Sequence, residues 1–543
     1  MNRRTFLATS LAAGGGGAAL GAGRRRPNIV LILADDMGFS DAGCFGGEIR
    51  TPNLDRLARQ GTRFTQFYNC ARCCPTRASL LTGLTPHQAG VGHMIDDKGW
   101  PGYRGQLSER AVTIAEALGR SGYQTAMSGK WHLSNLAIRG KKQLDYESSE
   151  PFWRDKRSWP RQRGFDRFFG TIVGVNNFYD PFSLVEGNEV VQPGPGFYYT
   201  DAIANKAVEQ MKEMGRVEQP WFSYVAFTAP HWPLHALAPD IARYDGLYRN
   251  GWDEVRRQRY ERLRKMGLIR SEWKAAGRES DVKPWSEAAN PEWEARRMAV
   301  YAAQIDRMDQ GIGRILEQVR RSGAEEDTLV MFLSDNGGCA ENVRPEWYDI
   351  PSKTRAGAAV RVGNNPAVTP GDETTFQSYG PGWANASNAP FRLYKHWVHE
   401  GGISTPLIAS WRGGGVRRGA VTHEYGHVSD IMASCLEAAG AAYPAAPVTP
   451  LEGHSLLPLM RGGTRPAPTL GWEHEGNRAL RQGKWKLVSR HKQPWELFDM
   501  EADRTEQRDL AAADPERVRG MAQAWAEWAG RCGVLDWDVV QRL

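Results

Sequence analysis

Hydrophobic runs that end in polar residues constrain the fold of this chain more than any other feature. The run NIVLILADD, residues 28–36, is rich in β-branched side chains and ends in two carboxylates, Asp35 and Asp36. Such a run is typical of a strand buried on both faces, as in a parallel sheet. Comparable runs stand at residues 62–69, 123–132, 220–233, 328–338 and 405–411.

Helical patterns separate these runs. Apolar residues recur at helical spacing in 51–61, 108–122, 296–321 and 428–439, and Ser108 is the predicted N-cap of the second helix. Strands that alternate with helices predict an α/β fold with a large, mostly parallel, doubly wound sheet flanked by helices. Ligands of such sheets bind beyond the carboxyl ends of the strands.

Residues suited to chemistry follow four of the predicted strands. They are Asp35 with Asp36, Lys130 with His132, His231, and Asp335 with Asn336. Because the carboxyl ends of parallel strands meet at one edge of a sheet, we expect these side chains to lie close together. This edge is the predicted functional site.

Two regions depart from the alternation. Residues 234–298 are rich in Trp and Arg and predict a helical insertion near the pocket, although a solvated charged helix would show the same pattern. From 464 onward, short strand-like runs and a terminal helix predict a small C-terminal antiparallel subdomain, 464–543. The catalytic domain would then span 24–463.

The first 23 residues have the layout of an export signal. Arg3 and Arg4 precede an Ala-, Gly- and Leu-rich stretch that is too short to cross a bilayer, which resembles a twin-arginine signal peptide. We therefore expect a periplasmic or secreted protein without a stable membrane span. The net charge of +7 is scattered, so no nucleic-acid partner is expected, although it favours anionic small substrates.

Three of the seven cysteines, Cys70, Cys73 and Cys74, stand in the short stretch NCARCCPTR. A structural zinc site needs four ligands, and the remaining cysteines are isolated, so zinc is not expected here. The spacing of Cys70 and Cys73 fits a thioredoxin-like motif, but nothing else supports an oxidoreductase. A disulfide of Cys70 stays open. Because the number of cysteines is odd, at least one thiol is unpaired or altered.

The string CCPTRASLLTG, residues 73–83, resembles the sulfatase signature, in which a cysteine stands two residues before Pro and four before Arg. The resemblance continues in RPNIVLILADDMGFSD, SGKWHL, TAPHWPLH, FLSDNGG and SNAPFRLYKHWVHEGG, and it covers the chain from Pro27 to about Leu510. The chain is thus similar to bacterial arylsulfatases of the alkaline phosphatase-like superfamily.

The resemblance implies that Cys73, and not Cys74, is converted to formylglycine by a maturation enzyme. The hydrated aldehyde supplies two hydroxyls, one that attacks sulfur and one that later expels sulfate. The residues agree with this, because Pro75 suits the first turn of a helix whose N-terminus would stabilise a sulfate.

The family pattern also implies roles for five residues around Cys73. Arg77 and Lys130 would hold the aldehyde hydrate or the sulfate, and Lys395 would bind the sulfate and the leaving oxygen. His132 would deprotonate the hydroxyl for sulfate release, and His231 would be the general acid. The implied metal ligands are Asp35, Asp36, Asp335 and Asn336. The family implies Ca²⁺, whereas these hard oxygen ligands alone would also permit Mg²⁺. Asp335 is also a candidate base for the attacking hydroxyl.

The expected reaction is hydrolysis of a small-molecule or carbohydrate sulfate ester to an alcohol and sulfate. A formylglycine-dependent phosphonate or phosphate ester hydrolase stays open, as does a non-catalytic binding protein on the same scaffold. The stretch HEYGH, residues 423–427, matches the zinc-protease pattern. However, Gly426 lies inside it and the predicted helix begins only afterwards, so a protease is not expected.

Overall fold

The hydrophobic runs form one large sheet in the computed structural model, which describes residues 26–135, 155–346 and 351–543. The first twelve strands are β1 (Asn28–Asp35), β2 (Thr62–Tyr68), β3 (Gln124–Gly129), β4 (Arg167–Thr171), β5 (Leu184–Glu186), β6 (Glu189–Val190), β7 (Trp221–Pro230), β8 (Thr328–Ser334), β9 (Arg361–Val362), β10 (Thr375–Phe376), β11 (Ser404–Ser410) and β12 (Ala420–His427). Ten of them pair in the order β12-β2-β11-β8-β1-β7-β3-β4-β5-β6, and β9 pairs with β10. The signal peptide predicted for 1–23 lies outside the described residues.

The sheet is mostly parallel, as predicted. Strand β1 runs parallel to both β7 and β8, and β3 runs parallel to β7 and β4. Strand β11 departs from this pattern, because it lies antiparallel between β2 and β8. Four neighbouring strands, β8, β1, β7 and β3, therefore end at the same edge.

Helices cover both faces of the sheet. They are α1 (Pro52–Gln60), α2 (Cys73–Thr82), α3 (Ile114–Arg120), α4 (Tyr199–Met214), α5 (Ala238–Ala242), α6 (Gly251–Lys265), α7 (Pro291–Arg321), α8 (Gly380–Ser387), α9 (Glu400–Ile403), α10 (Asp430–Ala439) and α11 (Leu457–Met460). In β1, Val30 and Ile32 pack into one hydrophobic core with α7, and Leu31 and Leu33 pack into the other with α2 and α10. Burial on both faces explains the unbroken apolar run.

The small subdomain follows in the chain. An antiparallel sheet of β13 (Leu470–His474), β14 (Asn477–Gln482), β15 (Trp485–Ser489) and β16 (Glu496–Asp499) precedes the helices α12 (Pro515–Cys532) and α13 (Trp537–Val540). This agrees with the sheet and terminal helix expected from 464 onward. No helix of the described ranges is long and apolar enough to cross a bilayer.

The predicted start of α3 is wrong. The helix begins after Thr113, whose hydroxyl accepts from Glu116 N at 3.0 Å while the Glu116 carboxylate accepts from Thr113 N at 2.7 Å. This reciprocal capping box satisfies two backbone donors, whereas the Ser108 hydroxyl accepts from Arg110 N in a local turn. The capping pair therefore decides where the helix starts.

The Trp- and Arg-rich insertion is packed rather than solvated. Helix α6 buries Arg256, which donates to the carbonyls of Ala276 and Phe391. It also buries Arg259, which forms ion pairs with Asp41 and Glu48. The buried arginines of this helix are thus paired with backbone carbonyls and with carboxylates of the segment that follows β1.

Candidate active site

Cys73 occupies the first residue of α2, directly after the loop that follows β2. Its helix is buried along its whole length, and Pro75 stands in the first turn. An N-terminal helix end carries unpaired backbone N–H groups and a partial positive charge, which favours an anion beside it. The predicted nucleophile is therefore placed where a sulfate group is stabilised.

Four further predicted residues surround the Cys73 thiol. Burial alone would raise the pKa of this thiol, but the ammonium groups of Lys395 and Lys130 and hydrogen bonds with His132 and His231 outweigh it and hold the pKa well below its usual value. Lys130 and His132 follow β3, His231 follows β7, and Lys395 comes from the loop between α8 and α9. The structure thus gathers residues from distant segments around one sulfur atom.

Three buried aspartates lie against three cations at the same edge. Lys130 Nζ lies 2.6 Å from Asp35 Oδ2, Lys395 Nζ lies 2.9 Å from the Asp36 carboxylate, and Arg77 Nη2 lies 2.8 Å from Asp335 Oδ2. We call these six residues together with Asn336 the carboxylate centre. Its side chains are almost completely buried. Arg77 also donates to the carbonyl oxygen of Lys130 at 2.9 Å, so this guanidinium holds two strand ends together.

Asp35 and Asp335 lie close together, and their pKa values are shifted in opposite directions. Burial raises the pKa of Asp35, but Lys130 and Arg77 more than compensate and hold it below its usual range. The pKa of Asp335 is raised well above its usual value by burial and by the neighbouring Asp35 charge, which Arg77 only partly offsets. A divalent cation at this place would favour the ionised form of both.

The oxygen atoms of the carboxylate centre fit such a cation. Asp35 Oδ1 and Asn336 Oδ1 are buried and have no hydrogen-bond partner, although buried acceptors are normally paired. Asn336 Nδ2 donates to Asp36 Oδ1 at 2.6 Å, which places the amide beside the carboxylate. Ligand atoms of Asp35, Asp36, Cys73 and His231 lie within 4.8 Å of one another. Of the four predicted metal ligands, Asp35 and Asn336 thus offer unpaired oxygens and Asp36 lies beside both, whereas the two oxygens of Asp335 accept from Asp36 N and Arg77.

The two histidines differ in their surroundings. His231 Nδ1 donates to the Trp232 carbonyl at 2.5 Å, and its Nε2 lies 3.2 Å from Lys395 Nζ and 3.4 Å from Asp36 Oδ2. Burial and Lys130 lower the pKa of His132 to about 4, so this ring is neutral near neutral pH. A neutral imidazole next to a nucleophile can accept a proton.

Two backbone positions show that the site is strained. Asp36 has φ 65° and His132 has φ 58°, which are left-handed conformations that residues other than glycine rarely adopt. Gly174 lies against the His132 ring, where an added Cβ would come within 2.1 Å of Cε1. Residue 174 must therefore be glycine for the ring to keep its place.

An acidic contact beside the nucleophile loop was not predicted from the sequence. Arg72, the N-cap of α2, lies 2.7 Å from Glu341, which also accepts from Trp232 Nε1 at 2.9 Å. Glu341 stands five residues after Asn336 in DNGGCAE, and that proximity was the available signal. Arg72 and Glu341 tie the nucleophile loop to the segments after β7 and β8.

The other cysteines of the cluster take no part in the site. Cys74 is fully buried in the hydrophobic core, and Cys70 Sγ lies 3.7 Å from His427 Nε2. All seven cysteines, each within the described ranges, are free thiols, so the disulfide left open for Cys70 is not formed. His423 and His427 lie on the extended strand β12, which rules out the helical arrangement of a zinc protease.

Comparisons with known proteins agree with this geometry. A family model described as Sulfatase matches residues 27–441. The arylsulfatase of Klebsiella aerogenes is 36% identical over 481 residues, which are 84% of this chain and 96% of the relative. An uncharacterised sulfatase of Schizosaccharomyces pombe is 32% identical over 94% of this chain and 95% of its own. The crystal structure of Ps i-CgsB in complex with k-i-k-neocarrahexaose has a TM-score of 0.65 at 23% identity and covers 93% of both chains.

Proposed function

The chain belongs to the sulfatase family, whose members are sulfuric ester hydrolases, and we propose that it cleaves a sulfate monoester at Cys73 after this residue has become formylglycine. The observation that carries the proposal is the convergence of Lys130, Lys395, His132 and His231 on Cys73 at the N-terminus of α2. A formylglycine hydrate supplies one hydroxyl for attack on sulfur and a second for the release of sulfate.

The cations of the site stabilise negative charge on the substrate. Lys130 and Lys395 are fully or almost fully buried, and nearby negative groups keep the pKa of both above the usual value, so both remain charged. Because their ammonium groups lie in a poorly solvated place, they attract sulfate oxygens strongly. Arg77 acts by positioning, since its guanidinium holds Asp335 and the Lys130 carbonyl.

The histidines move protons. His132 is neutral and next to residue 73, so it accepts a proton from a hydroxyl there. His231 has one ring nitrogen fixed by the Trp232 carbonyl and the other facing Lys395, so it is held where it can protonate the leaving oxygen. His231 thereby serves the cleavage of the substrate S–O bond, and His132 serves the later step in which the aldehyde re-forms and sulfate leaves.

We assign the metal site to Ca²⁺, held by Asp35, Asp36, Asp335 and Asn336. When bound, this ion would supply positive charge that orients and polarises the sulfate group. Four oxygen donors suit a hard cation, and the family resemblance favours Ca²⁺ over Mg²⁺. The unpaired Asp35 Oδ1 and Asn336 Oδ1 support the assignment.

The proposal extends to substrate, maturation and location. The substrate would be a small-molecule or carbohydrate sulfate ester, which the arylsulfatase relative and the carbohydrate-bound structural neighbour support. A formylglycine-generating enzyme would act on Cys73 before export. The twin arginine Arg3–Arg4 supports export to the periplasm or beyond.

Peptide mass spectrometry over residues 64–92 of the purified protein tests the proposal directly. We expect the thiol sulfur of Cys73 to be replaced by an aldehyde oxygen, with Cys74 unchanged. In parallel, turnover of an aryl sulfate should exceed that of a phosphonate monoester. Faster cleavage of the phosphonate would favour the phosphonate hydrolase, and an unmodified Cys73 in fully active protein would refute the assignment.

A further inference from the structure

A second group of side chains of the kinds that bind metals lies outside the carboxylate centre. It contains His93, His396, His474 and Glu475, which we call the histidine cluster. His93 follows α2, His396 follows Lys395, His474 ends β13, and Glu475 begins the turn to β14. The chain thus brings three remote segments together at this place.

The three imidazoles surround one carboxylate. His93 Nε2 lies 2.9 Å from Glu475 Oε1, His396 Nδ1 lies 3.2 Å from Glu475 Oε2, and His474 Nε2 lies 3.6 Å from Glu475 Oε1. Ligand atoms about 2.0–2.1 Å from a tetrahedral zinc lie about 3.3 Å from one another. The two imidazoles that face Glu475 Oε1 lie 2.9 and 3.6 Å from it, on either side of that length, while His396 faces the other carboxylate oxygen. Ligand atoms of His396, His474 and Glu475 also lie within 4.8 Å of each other.

His474 provides independent support for a ligand. Its side chain is fully buried, yet neither ring nitrogen has a hydrogen-bond partner. An imidazole buried without partners loses the hydrogen bonds it would make in water. A metal bond at Nε2, which lies 3.6 Å from Glu475 Oε1, would remove that cost for this nitrogen.

The backbone gives a further indication. His396 has φ 89° and Glu475 has φ 50°, and both are therefore in the left-handed region. The same feature occurs at Asp36 and His132 in the active site, and at Ala71, Leu393, Lys492 and Glu506 elsewhere in the described part of the chain. Left-handed residues other than glycine cluster at binding sites, because the surrounding structure holds them in place for their side chains.

We propose that the histidine cluster binds one Zn²⁺ ion through His93, His396, His474 and Glu475. Three imidazoles and one carboxylate suit zinc, and four protein ligands make the closed coordination of a structural site. The ion would join the loop of Lys395 to the small sheet. His396 N donates to the Ala71 carbonyl at 2.8 Å, so the loop before Cys73 would be fixed as well.

Zinc titration of the full chain tests this site. The Cys73→Ala background and saturating Ca²⁺ keep zinc away from the carboxylate centre. Calorimetry should then show one Zn²⁺ per chain with a dissociation constant of about 1 μM or tighter. Co²⁺ in its place should give the visible absorption of tetrahedral coordination. Absence of zinc binding under these conditions would overturn the proposal.

Substitutions locate the ion. In the same background, His93→Ala and His474→Ala should each weaken zinc binding about 100-fold, with loss of the Co²⁺ absorption. His454→Ala is the matched control, because His454 is an exposed histidine outside the cluster. His93 is partly exposed, so its variant carries the test if the buried His474 variant does not fold. Equal zinc affinity in His93→Ala and His454→Ala would contradict the assignment, whatever the outcome for sulfate hydrolysis.

Discussion

Two buried groups of ion pairs in this molecule have similar composition and different surroundings. In the first, the carboxylate centre, three aspartates lie against Lys130, Lys395 and Arg77 at the strand ends. In the second, Glu400 and Glu506 lie against Lys486 and Arg504, between α9 and the small sheet. We call this second group the subdomain network.

The two groups differ in whether each of their acceptor oxygens has a donor beside it. In the subdomain network, both oxygens of Glu400 and both of Glu506 lie within 3.1 Å of a donor nitrogen or hydroxyl, although Glu506 Oε1 contacts Lys486 as an ion pair without hydrogen-bond geometry. In the carboxylate centre, Asp35 Oδ1 and Asn336 Oδ1 have no partner. Oxygens that already have donors beside them leave no place for a ligand, whereas unpaired acceptors beside cations are available for a metal ion and a substrate.

The largest expected effect comes from removing the side chain of Cys73, which Lys130 and Lys395 face. Cys73→Ala should lower kcat/KM for an aryl sulfate by about 10⁴-fold or more, because the nucleophile is lost. The free energy of unfolding should change little, since the formylglycine hydrate that Cys73 becomes is uncharged and no network loses a counter-charge. Cys74→Ala is the matched control and should retain most activity. Full turnover by Cys73→Ala would show that the carboxylate centre does not act through this residue.

Breaking the subdomain network should have the opposite consequence. Lys486→Met leaves Glu400 and Glu506 buried without their shared cation, which should lower the free energy of unfolding by about 3–5 kcal/mol. The folded fraction should keep its kcat, because Lys486 lies outside the carboxylate centre. Chemical denaturation and active-site-normalised kinetics measure the two quantities.

Lys484→Met is the control for that substitution. Lys484 stands two residues away and pairs with Asp499, but 44% of its side chain is exposed. Exposed pairs contribute about 0–1 kcal/mol. If Lys484→Met and Lys486→Met were equally destabilising, the distinction between closed and exposed pairing would fail.

Of the two groups of ion pairs, metal removal should affect only the carboxylate centre. Chelation should lower aryl sulfate turnover by about 100-fold, because the sulfate loses a positive charge at its binding place, and added Ca²⁺ should restore it. The Lys486→Met protein should show the same dependence on Ca²⁺. Full activity in protein shown by elemental analysis to be free of metal would contradict the assigned ligands.

The sequence was sufficient for the fold and for the residues at the strand ends. Each apolar run predicts a strand, and the alternation of strands with helices predicts the sheet edge at which the strands end. The residues that follow the runs are therefore placed at that edge; they are Asp35–Asp36, Lys130 and Asp335–Asn336. The motif around Cys73 fixed the residue expected to react. All of these predictions depended on residues that stand close together in the sequence.

Features that depend on which segments meet in space could not be read from the sequence. The antiparallel insertion of β11, the Arg72–Glu341 pair and the subdomain network each join segments that no local pattern connects. The start of α3 was misplaced for a related reason, since Ser108 and Thr113 are both good N-caps and only the packed structure selects between them.

The smallest expected effect concerns a buried histidine that belongs to neither group of ion pairs. Burial lowers the pKa of His427 from 6.5 to about 4, with opposing contributions from Asp430 and Arg465. The unfolded chain therefore binds a proton below pH 6.5 that the folded chain accepts only near pH 4. Its contribution to stability is complete above pH 6.5 and is lost as the pH falls towards 4.

Between pH 6 and pH 5 this histidine should lower the free energy of unfolding by about 1 kcal/mol. His427→Gln should remove that part of the pH dependence, whereas His454→Gln, at an exposed histidine, should leave it intact. Urea denaturation at both pH values measures the difference. If the free energy of unfolding of His427→Gln kept the wild-type pH dependence, His427 would already share its charge with Asp430 in the folded state. Burial without a paired counter-charge would then be less costly here than the comparison of the two groups implies.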